Sequence, residues 1–549
     1  MVDWIIFKKP QRYIGNEWNV IKKDHYGKIK ICLCYPDLYE VGMSNLGIRI
    51  IYALFNSFSN VVCERAFMPD QDFCDFLKRN KLTLFSLETK TPLSDFEVLG
   101  FNFNYELNYT NFLAMLSLGG IELKSAFRKD LIVLGGGVAN PEGLAEFVDV
   151  FFLGEFEDMA FKFIDTLQRY KEKEERLRVL AEYEGFYVPK FYNFYLKGDK
   201  YIFEKKYRYA KLPIKRFYVK DMDKVYVPTN WLTPHTEIVH DRVQVEIARG
   251  CPNRCFFCQA NRLYFPYRQR SVDCIIDIIK RTYDSSGYEN FSLLALSASN
   301  YSNIEELIDK VSEYFGKDKI GISLPSLRIE DIVDNLYRSL TKLKKVSATF
   351  AIESATSRLR ERINKNIDMK KLWETAKILR TLNLRHIKLY FMFGLPYEED
   401  EDLIAMGRFV NEIRKESKLR INLSINTFIP KPFSHFQNMP IDKEEEIERK
   451  RKLILENMPK YGIRVSFSNP KRSVLEAIIS RADRNLCKVI LRAFNLGACF
   501  DSYPEKFNYR IWERAFIEEN IDKYIYLNNK RDNFSWSYIS IESDGEKNI

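Results

Sequence analysis

Three cysteines stand close together in ARGCPNRCFFCQAN: Cys251, Cys255 and Cys258. Three thiolates on one short loop can ligate three irons of a 4Fe-4S cubane, while the fourth iron keeps no protein ligand. An open coordination position separates a reactive metal site from a closed structural one. The other chemistry open to clustered thiolates is a structural zinc site, which normally takes four ligands in two separated pairs. No second CxxC pair and no nearby histidine follows this loop. The remaining cysteines, at 32, 34, 63, 74, 274, 487 and 499, are scattered, unlike the framework of a small secreted domain, and reduced thiols are expected. Cys274 falls in the next helix and reads as a buried thiol.

The elements around the loop predict an α/β chain. From 242 to 427, strand-like VQVEIAR, FSLLALS, IGISLP, VSATFAI, IKLYFMF and INLSINT are each followed by a helical stretch. Six such units suit an incomplete parallel (β/α)6 barrel, with its site where the strands end. The cysteine loop follows the first strand. Ser297 and Ser299 follow the second, and Glu353, Ser354 and Arg358 follow the fourth, where a carboxylate can accept bonds from a ribose or an amine. Gly394 and Pro396 follow the fifth, either to let the backbone approach a ligand or simply to turn.

Ahead of the barrel, residues 28 to 155 alternate short apolar runs, among them KIKICLCYP, LTLFSL, EVLGFNF and LIVLGGG, with amphipathic stretches. This pattern predicts a parallel, doubly wound, Rossmann-like sheet, whose carboxyl edge binds ligands in such folds; Gly135, Gly136 and Gly137 fall at that edge. The expected divisions are 1 to 160 for this domain, 161 to 240 for a helix and an aromatic, basic connector, 241 to 435 for the barrel, and 436 to 549 for a mostly helical region. In the connector KGDK reads as a hairpin turn, and its Tyr and Phe residues either pack between domains or stack on nucleic acid bases. Near the end, Arg481, Asp483 and Arg484 either reach over the barrel mouth towards an anionic substrate or form a surface charge patch.

At 549 residues the chain is too long for one compact core. No apolar run reaches the roughly 18 residues that span a bilayer, and the start lacks the order of a signal peptide, so a cytoplasmic protein without a membrane partner is expected. The 85 basic and 75 acidic residues interleave as on solvated helix faces, and the net charge of +10 permits an anionic partner.

The spacing CxxxCxxC, with Phe257 before the last cysteine, resembles the signature of the radical S-adenosylmethionine (radical SAM) superfamily. That resemblance implies a 4Fe-4S cluster on Cys251, Cys255 and Cys258, and methionine groups of S-adenosylmethionine on the open iron. Reductive cleavage would then give a 5'-deoxyadenosyl radical that takes hydrogen from an unactivated carbon. It further implies that Phe257, Ser297, Ser299, Glu353, Ser354, Arg358, Gly394 and Pro396 line the cofactor, although Ser297 and Ser299 stand where many relatives carry a glycine-rich pair. A reducing electron donor such as ferredoxin or flavodoxin is implied as well, with the substrate unidentified. A doubly wound domain ahead of the barrel resembles the cobalamin-binding-domain subclass. YPDLYEVGMSNLG, CFFCQANRLYFPYRQRS, FMFGLPYEEDEDL and EAIISRADRNL resemble one full-length group of such proteins. Cobalamin, if bound near Gly135 to Gly137, would lack a histidine lower ligand from this domain, since the histidines are at 25, 235, 240, 386 and 435. The alternatives are a methylthiotransferase-like modifier of transfer RNA and a non-catalytic iron-sulfur or zinc protein. The spacing of Cys32, Cys34, Cys63 and Cys74 does not match the second cluster of methylthiotransferases, and Cys32 and Cys34 share one face of a strand.

Overall fold

The computed structural model describes residues 3–316, 320–325, 328, 348–380, 386–528 and 533–541. Its amino-terminal sheet runs β2-β1-β3-β4-β5-β6, from β1 (Ile29–Tyr35), β2 (Val61–Phe67), β3 (Val98–Asn102), β4 (Ile132–Gly136), β5 (Val150–Phe152) and β6 (Phe186–Tyr187). The first five strands are parallel and β6 is antiparallel. Helices cover both faces, so β1 and β2 are buried almost throughout, as their near-continuous apolar runs require. With β2 on one side of β1 and β3 on the other, the chain reverses direction between β1 and β3, which places the ligand crevice of this architecture at their carboxyl ends. LTLFSL is not a strand. Leu84 and Leu87 fill the core, but Lys90 (φ 62°) turns the chain back after a single bridge between Phe85 and Pro92.

The connector forms the hairpin of β7 (Tyr192–Lys197) and β8 (Lys200–Lys205), turning at Gly198. Most of its aromatics pack inward: Phe203 stacks on Tyr538 at 3.7 Å, and Phe194 stacks on Tyr201, while Tyr195 is exposed. β9 (Ile214–Lys215) then pairs with the last described strand.

All six expected barrel strands form. The sheet β10-β13-β14 holds β10 (Val243–Glu246), β13 (Asn290–Leu294) and β14 (Gly321–Ser323), while β11 (Ala248–Arg249) and β12 (Arg268–Gln269) form a small ribbon beside the cysteine loop. A second parallel sheet runs β15 (Ala348–Glu353), β16 (His386–Phe393), β17 (Arg420–Thr427) and β18 (Ile463–Phe467). β18 is a seventh strand, in a stretch read as helical because its five residues alternate with polar side chains on an exposed edge. The start of VSATFAI, the helical stretch before it and the tail SDGEKNI lie outside the described residues. On β16 and β17, Leu389, Phe391, Leu423 and Ile425 are buried on the helix side, where Phe391 meets Phe409. The alternate residues, Met392, Ser424 and Asn426 among them, therefore face the other way, into the barrel.

The carboxy-terminal helices return to the first domain, and β19 (Ile539–Ser540) closes against β9. Helix Leu486–Asn495 packs on helix Tyr109–Leu118. Asn111 accepts from the Phe500 N–H, and buried Asp501 accepts from Thr110 (2.8 Å) and Trp512 (3.1 Å). Burial pushes the Asp501 carboxyl up to about 6 against those two donors. Because its folded value lies above its unfolded one, the protonated form favours folding. That stability is complete below about pH 4 and is lost as pH rises through about 6, roughly 2–3 kcal/mol in all. Urea unfolding should therefore show Asp501→Asn gaining on wild type by that amount between pH 4 and pH 7.

Candidate functional site

The loop that carries the three cysteines is fixed at its root by charge. Arg249, two residues before Cys251, is buried and pairs with Glu155 (2.9 Å), Glu157 (2.8 Å) and Glu246 (2.7 Å). Arg268, at the far end of the loop, donates to both oxygens of Glu155 at 2.8 Å. Glu155 and Glu157 belong to the first domain, just after β5. Burial works against the Glu155 carboxylate, but Arg268 and Arg249 hold it below its usual range. Gly250 has φ 87°, and a Cβ there would lie 2.5 Å from the Tyr264 carbonyl oxygen, so the chain enters the loop through a position only glycine fills comfortably.

Within the loop, Asn261 donates to the carbonyls of Asn253 (3.2 Å) and Cys255 (3.0 Å), and Asn364 donates to that of Arg254 (2.7 Å). The Phe256 ring stacks on His435 at 4.2 Å. Cys251, Cys255 and Cys258 are free and half-buried. Burial, reinforced by the neighbouring thiols against Lys365, pushes Cys255 up to about 11. Cys258 is raised by burial too, although the N–H groups of Asn261 and Ala260 point at its sulfur. Asn253 donates to the Cys251 sulfur at 3.5 Å. Thiols held this way are poor thiolates by themselves; a cationic cluster supplies the missing charge, and amide donors to sulfur are what such a cluster's ligands take. Among the described residues, no three His, Cys, Asp or Glu side chains converge on one ion. Cubane ligands each take a different iron and need no such convergence. The donor set thus fits a cluster better than a mononuclear zinc ion.

The other expected residues are distributed around this loop. Ser297 and Ser354 are buried, and each hydroxyl lacks a hydrogen-bond partner. Glu353 is half-buried, in the left-handed region at φ 67° and at a register shift in β15, and burial pushes it up to about 7 against Lys365. Such strain on a non-glycine residue beside orphaned hydroxyls marks a site built around something polar. Phe257 packs against the apolar cluster that Leu359, Ile363, Leu395, Phe428 and Phe436 form. The Ser299 hydroxyl accepts from the Arg328 N–H. Gly394 (φ 75°) has its own N–H committed to Glu398 (2.8 Å), with Pro396 half-buried beyond it.

Some expectations change. Arg358 is engaged by Glu399, Asp402 and the Tyr397 carbonyl, so it ties down the loop after β16. A Cβ on Gly135 would meet Phe151 and Phe103, so that glycine serves packing. Gly137 (φ 74°) sits against Asn104 and Asn102, and a Cβ on Gly136 would meet the Phe101 carbonyl oxygen at 4.0 Å. Arg481, Asp483 and Arg484 do not reach over the mouth. Arg481 donates to the carbonyls of Tyr526, Leu527, Gln437 and Met439; Asp483 accepts from Tyr526 and Tyr201; Arg484 pairs with buried Glu142 at 2.7 Å. Cys274 is half-buried rather than buried. Sequence reasoning missed Asn253, Asn300 and Arg328, which form a polar chain beside Cys251: Asn253 donates to Asn300 (2.9 Å) and accepts from Arg328 (2.7 Å). Asn253 was visible within the cysteine motif, whereas Arg328 had no signal.

A doubly wound domain thus holds, through buried ion pairs, a three-cysteine loop at the mouth of a partial barrel, and this is the layout of a cluster-dependent radical enzyme. The family models agree: "Radical SAM proteins, N-terminal" matches residues 47–189, and "Radical SAM superfamily" matches residues 245–410. The chain belongs to the radical SAM superfamily and is a radical SAM enzyme. It is 26% identical over 501 residues to an uncharacterized protein of Methanocaldococcus jannaschii, a match covering 89% of this chain and 98% of the other. A ribosomal protein uS12 methylthiotransferase of Thermoanaerobacter sp. is 24% identical over 221 residues, 38% of this chain and 49% of the relative. In fold, the chain resembles the radical S-adenosylmethionine methyltransferase TsrM from Kitasatospora setae, solved with cobalamin and a [4Fe-4S] cluster, at TM-score 0.52 and 10% identity, over 90% of this chain and 99% of the other. Among the described residues no helix is long and apolar enough to cross a membrane.

If the ion pairs at the loop root position the cysteines, Glu155→Ala should cost about 3–5 kcal/mol in urea unfolding, because two buried guanidiniums lose a shared partner. Iron retained after anaerobic reconstitution should fall with it.

Proposed function

We propose that the chain binds a 4Fe-4S cluster through Cys251, Cys255 and Cys258 and S-adenosylmethionine beside it, and modifies a substrate held at the barrel mouth. The observation that carries this reading is the pairing of a thiol loop fed by sulfur-directed amides with the orphaned hydroxyls of Ser297 and Ser354 at neighbouring strand ends. When bound, the two groups supply reductive cleavage of the sulfonium, chemistry beyond side-chain acids and bases. Asn253 and the amides of Ala260 and Asn261 stabilise negative charge on sulfur. Ser297 and Ser354 offer donors to the methionine carboxylate, and Glu353 offers an acceptor to its amine or to a ribose hydroxyl. Phe257, with the Leu395 and Phe428 cluster behind it, gives the adenine an apolar wall, and the backbone at Gly394 and Pro396 runs beside it. Ser299 and Arg328 brace the wall on the Cys251 side.

Cobalamin is the second cofactor this reading admits, through the fold shared with TsrM. At the β1/β3 switch point the buried acceptors of Asn102 and Asn108 lack partners, which suits a ligand rich in amide donors. The cavity there, between Asn104, Gly137 and Gln259, holds only about 30 Å³, which does not fit a corrin in this arrangement, and no catalytic step is assigned to it. The methylthiotransferase relatives keep a second reading open. Cys32, Cys34 and Cys63 lie buried inside the strands of the first sheet, with Cys74 buried on helix Gln71–Arg79, a poor setting for a second cluster. An electron donor such as ferredoxin or flavodoxin and a cytoplasmic setting accompany the reading.

Anaerobic reconstitution with S-adenosylmethionine and a strong reductant tests it. Wild type should bind about four irons and release 5'-deoxyadenosine, and Cys255→Ala should do neither. Equal 5'-deoxyadenosine from both would sink the proposal. Hydroxocobalamin added to the same preparation should co-elute with the protein on gel filtration if the first domain holds it.

A further inference from the structure

The barrel mouth opens on one side into a cavity of about 670 Å³, a size that suits a small-molecule ligand. Its walls come from three parts of the chain. Met392, Ser424, Asn426 and Ser466 line it from β16, β17 and β18, Tyr105 reaches it from the loop after β3, and Arg451 and Arg472 close it from two carboxy-terminal helices. Met392 also packs in the apolar group that includes Phe257, so the cavity shares a wall with the cysteine loop.

The charge in this cavity is one-sided. The acid in the wall, Glu476, is already engaged by Lys431 at 2.8 Å and by the Tyr105 hydroxyl at 3.1 Å. The Nε atoms of Arg451 and Arg472 are buried and have no hydrogen-bond partner. Arg451 lies over the Phe467 ring at 5.3 Å and reaches Glu448 only at 3.3–3.4 Å. Arg472 stands in the first turn of the eleven-residue helix Pro470–Ser480, whose positive end faces the cavity. Around these guanidiniums, Ser424 and Ser466 are register partners on adjacent strands, and Asn426 lies two residues further along the same face. Guanidiniums with unspent donors, ringed by hydroxyls and an amide, match an anionic oxygen group.

We propose that this cavity is the substrate site, and that it takes a small molecule bearing a phosphate or carboxylate held by Arg472 and Arg451. The proposal rests on the radical SAM reading above and adds the chemical class of the substrate. The apolar wall at Met392 and Phe467 would take the carbon frame, leaving a carbon at the end nearest Phe257.

Equilibrium dialysis of the full chain with radiolabelled inorganic phosphate, and separately with succinate, tests this directly. Saturable binding of either probe is expected, and which one binds tells phosphate from carboxylate. Arg472→Gln and Arg451→Gln should each weaken binding about tenfold, the loss of one charge-assisted contact. Ser466→Asp, on an exposed edge strand, should do the same by placing a like charge in the wall while keeping both arginines. Arg510→Gln, on the surface, should change nothing and controls for the net charge. Circular dichroism confirms that each variant is folded. Failure of both probes to bind, or wild-type binding by Arg472→Gln and Ser466→Asp, overturns the site. 5'-Deoxyadenosine from the same wild-type preparation separates the two readings: its formation without probe binding removes the site alone, and probe binding without it removes the radical chemistry alone.

Discussion

Two carboxylates and two guanidiniums, Glu155 and Glu157 against Arg249 and Arg268, fix both ends of the three-cysteine loop. Each is buried or nearly so, and each charge would be very costly without its partners. Phe256 and Phe257 anchor the middle of the loop on an apolar cluster, but its half-buried thiols and its two ends gain no such hold. The ion pairs hold both of its ends, and they tie the loop to the first domain rather than to the barrel alone. The first domain is therefore part of the active site's foundation whether or not it carries a cofactor of its own.

A similar division holds at the other end of the chain. Glu142 is buried with Arg484, Tyr187 and Tyr538 around it, so the connector, the carboxy-terminal helices and the first domain meet on one carboxylate. Arg481 spends its terminal guanidinium nitrogens on four carbonyls of two chain segments. These residues look catalytic in a sequence because charged residues in an apolar run are rare. Their chemistry is structural because the fold buries them against acceptors of its own. The charge left over for a ligand sits elsewhere, on Arg451 and Arg472, where the acid in the wall is already neutralised.

The cavity between the barrel edge and helix Pro470–Ser480 follows from β18. Without a seventh strand, β17 would end the sheet, and nothing would flank Ser424 and Asn426 on that side. With it, those residues, Ser466 and the helix that follows enclose a volume at the carboxyl ends of the strands, where parallel sheets expose their ligand crevices.

The sequence alone determined the three-thiol loop and its setting. Three cysteines at that spacing after the first of several alternating strands bring three thiols together on one loop at a strand end, because local periodicity fixes strands and helices and spacing fixes which thiols share a loop. It also determined that the aromatic hairpin turns at Gly198, since the turn is a local matter. Only the tertiary structure decided which charged residues are free to meet a ligand. Arg358, Arg481 and Arg484 were the candidates in sequence, yet they find carboxylates and carbonyls from segments tens to hundreds of residues away, while Arg451 and Arg472, which no motif marked, line the cavity. Glu155 shows the same limit: its charged partners lie beyond residue 240, and pairing at that distance is set by how whole domains pack rather than by any local preference.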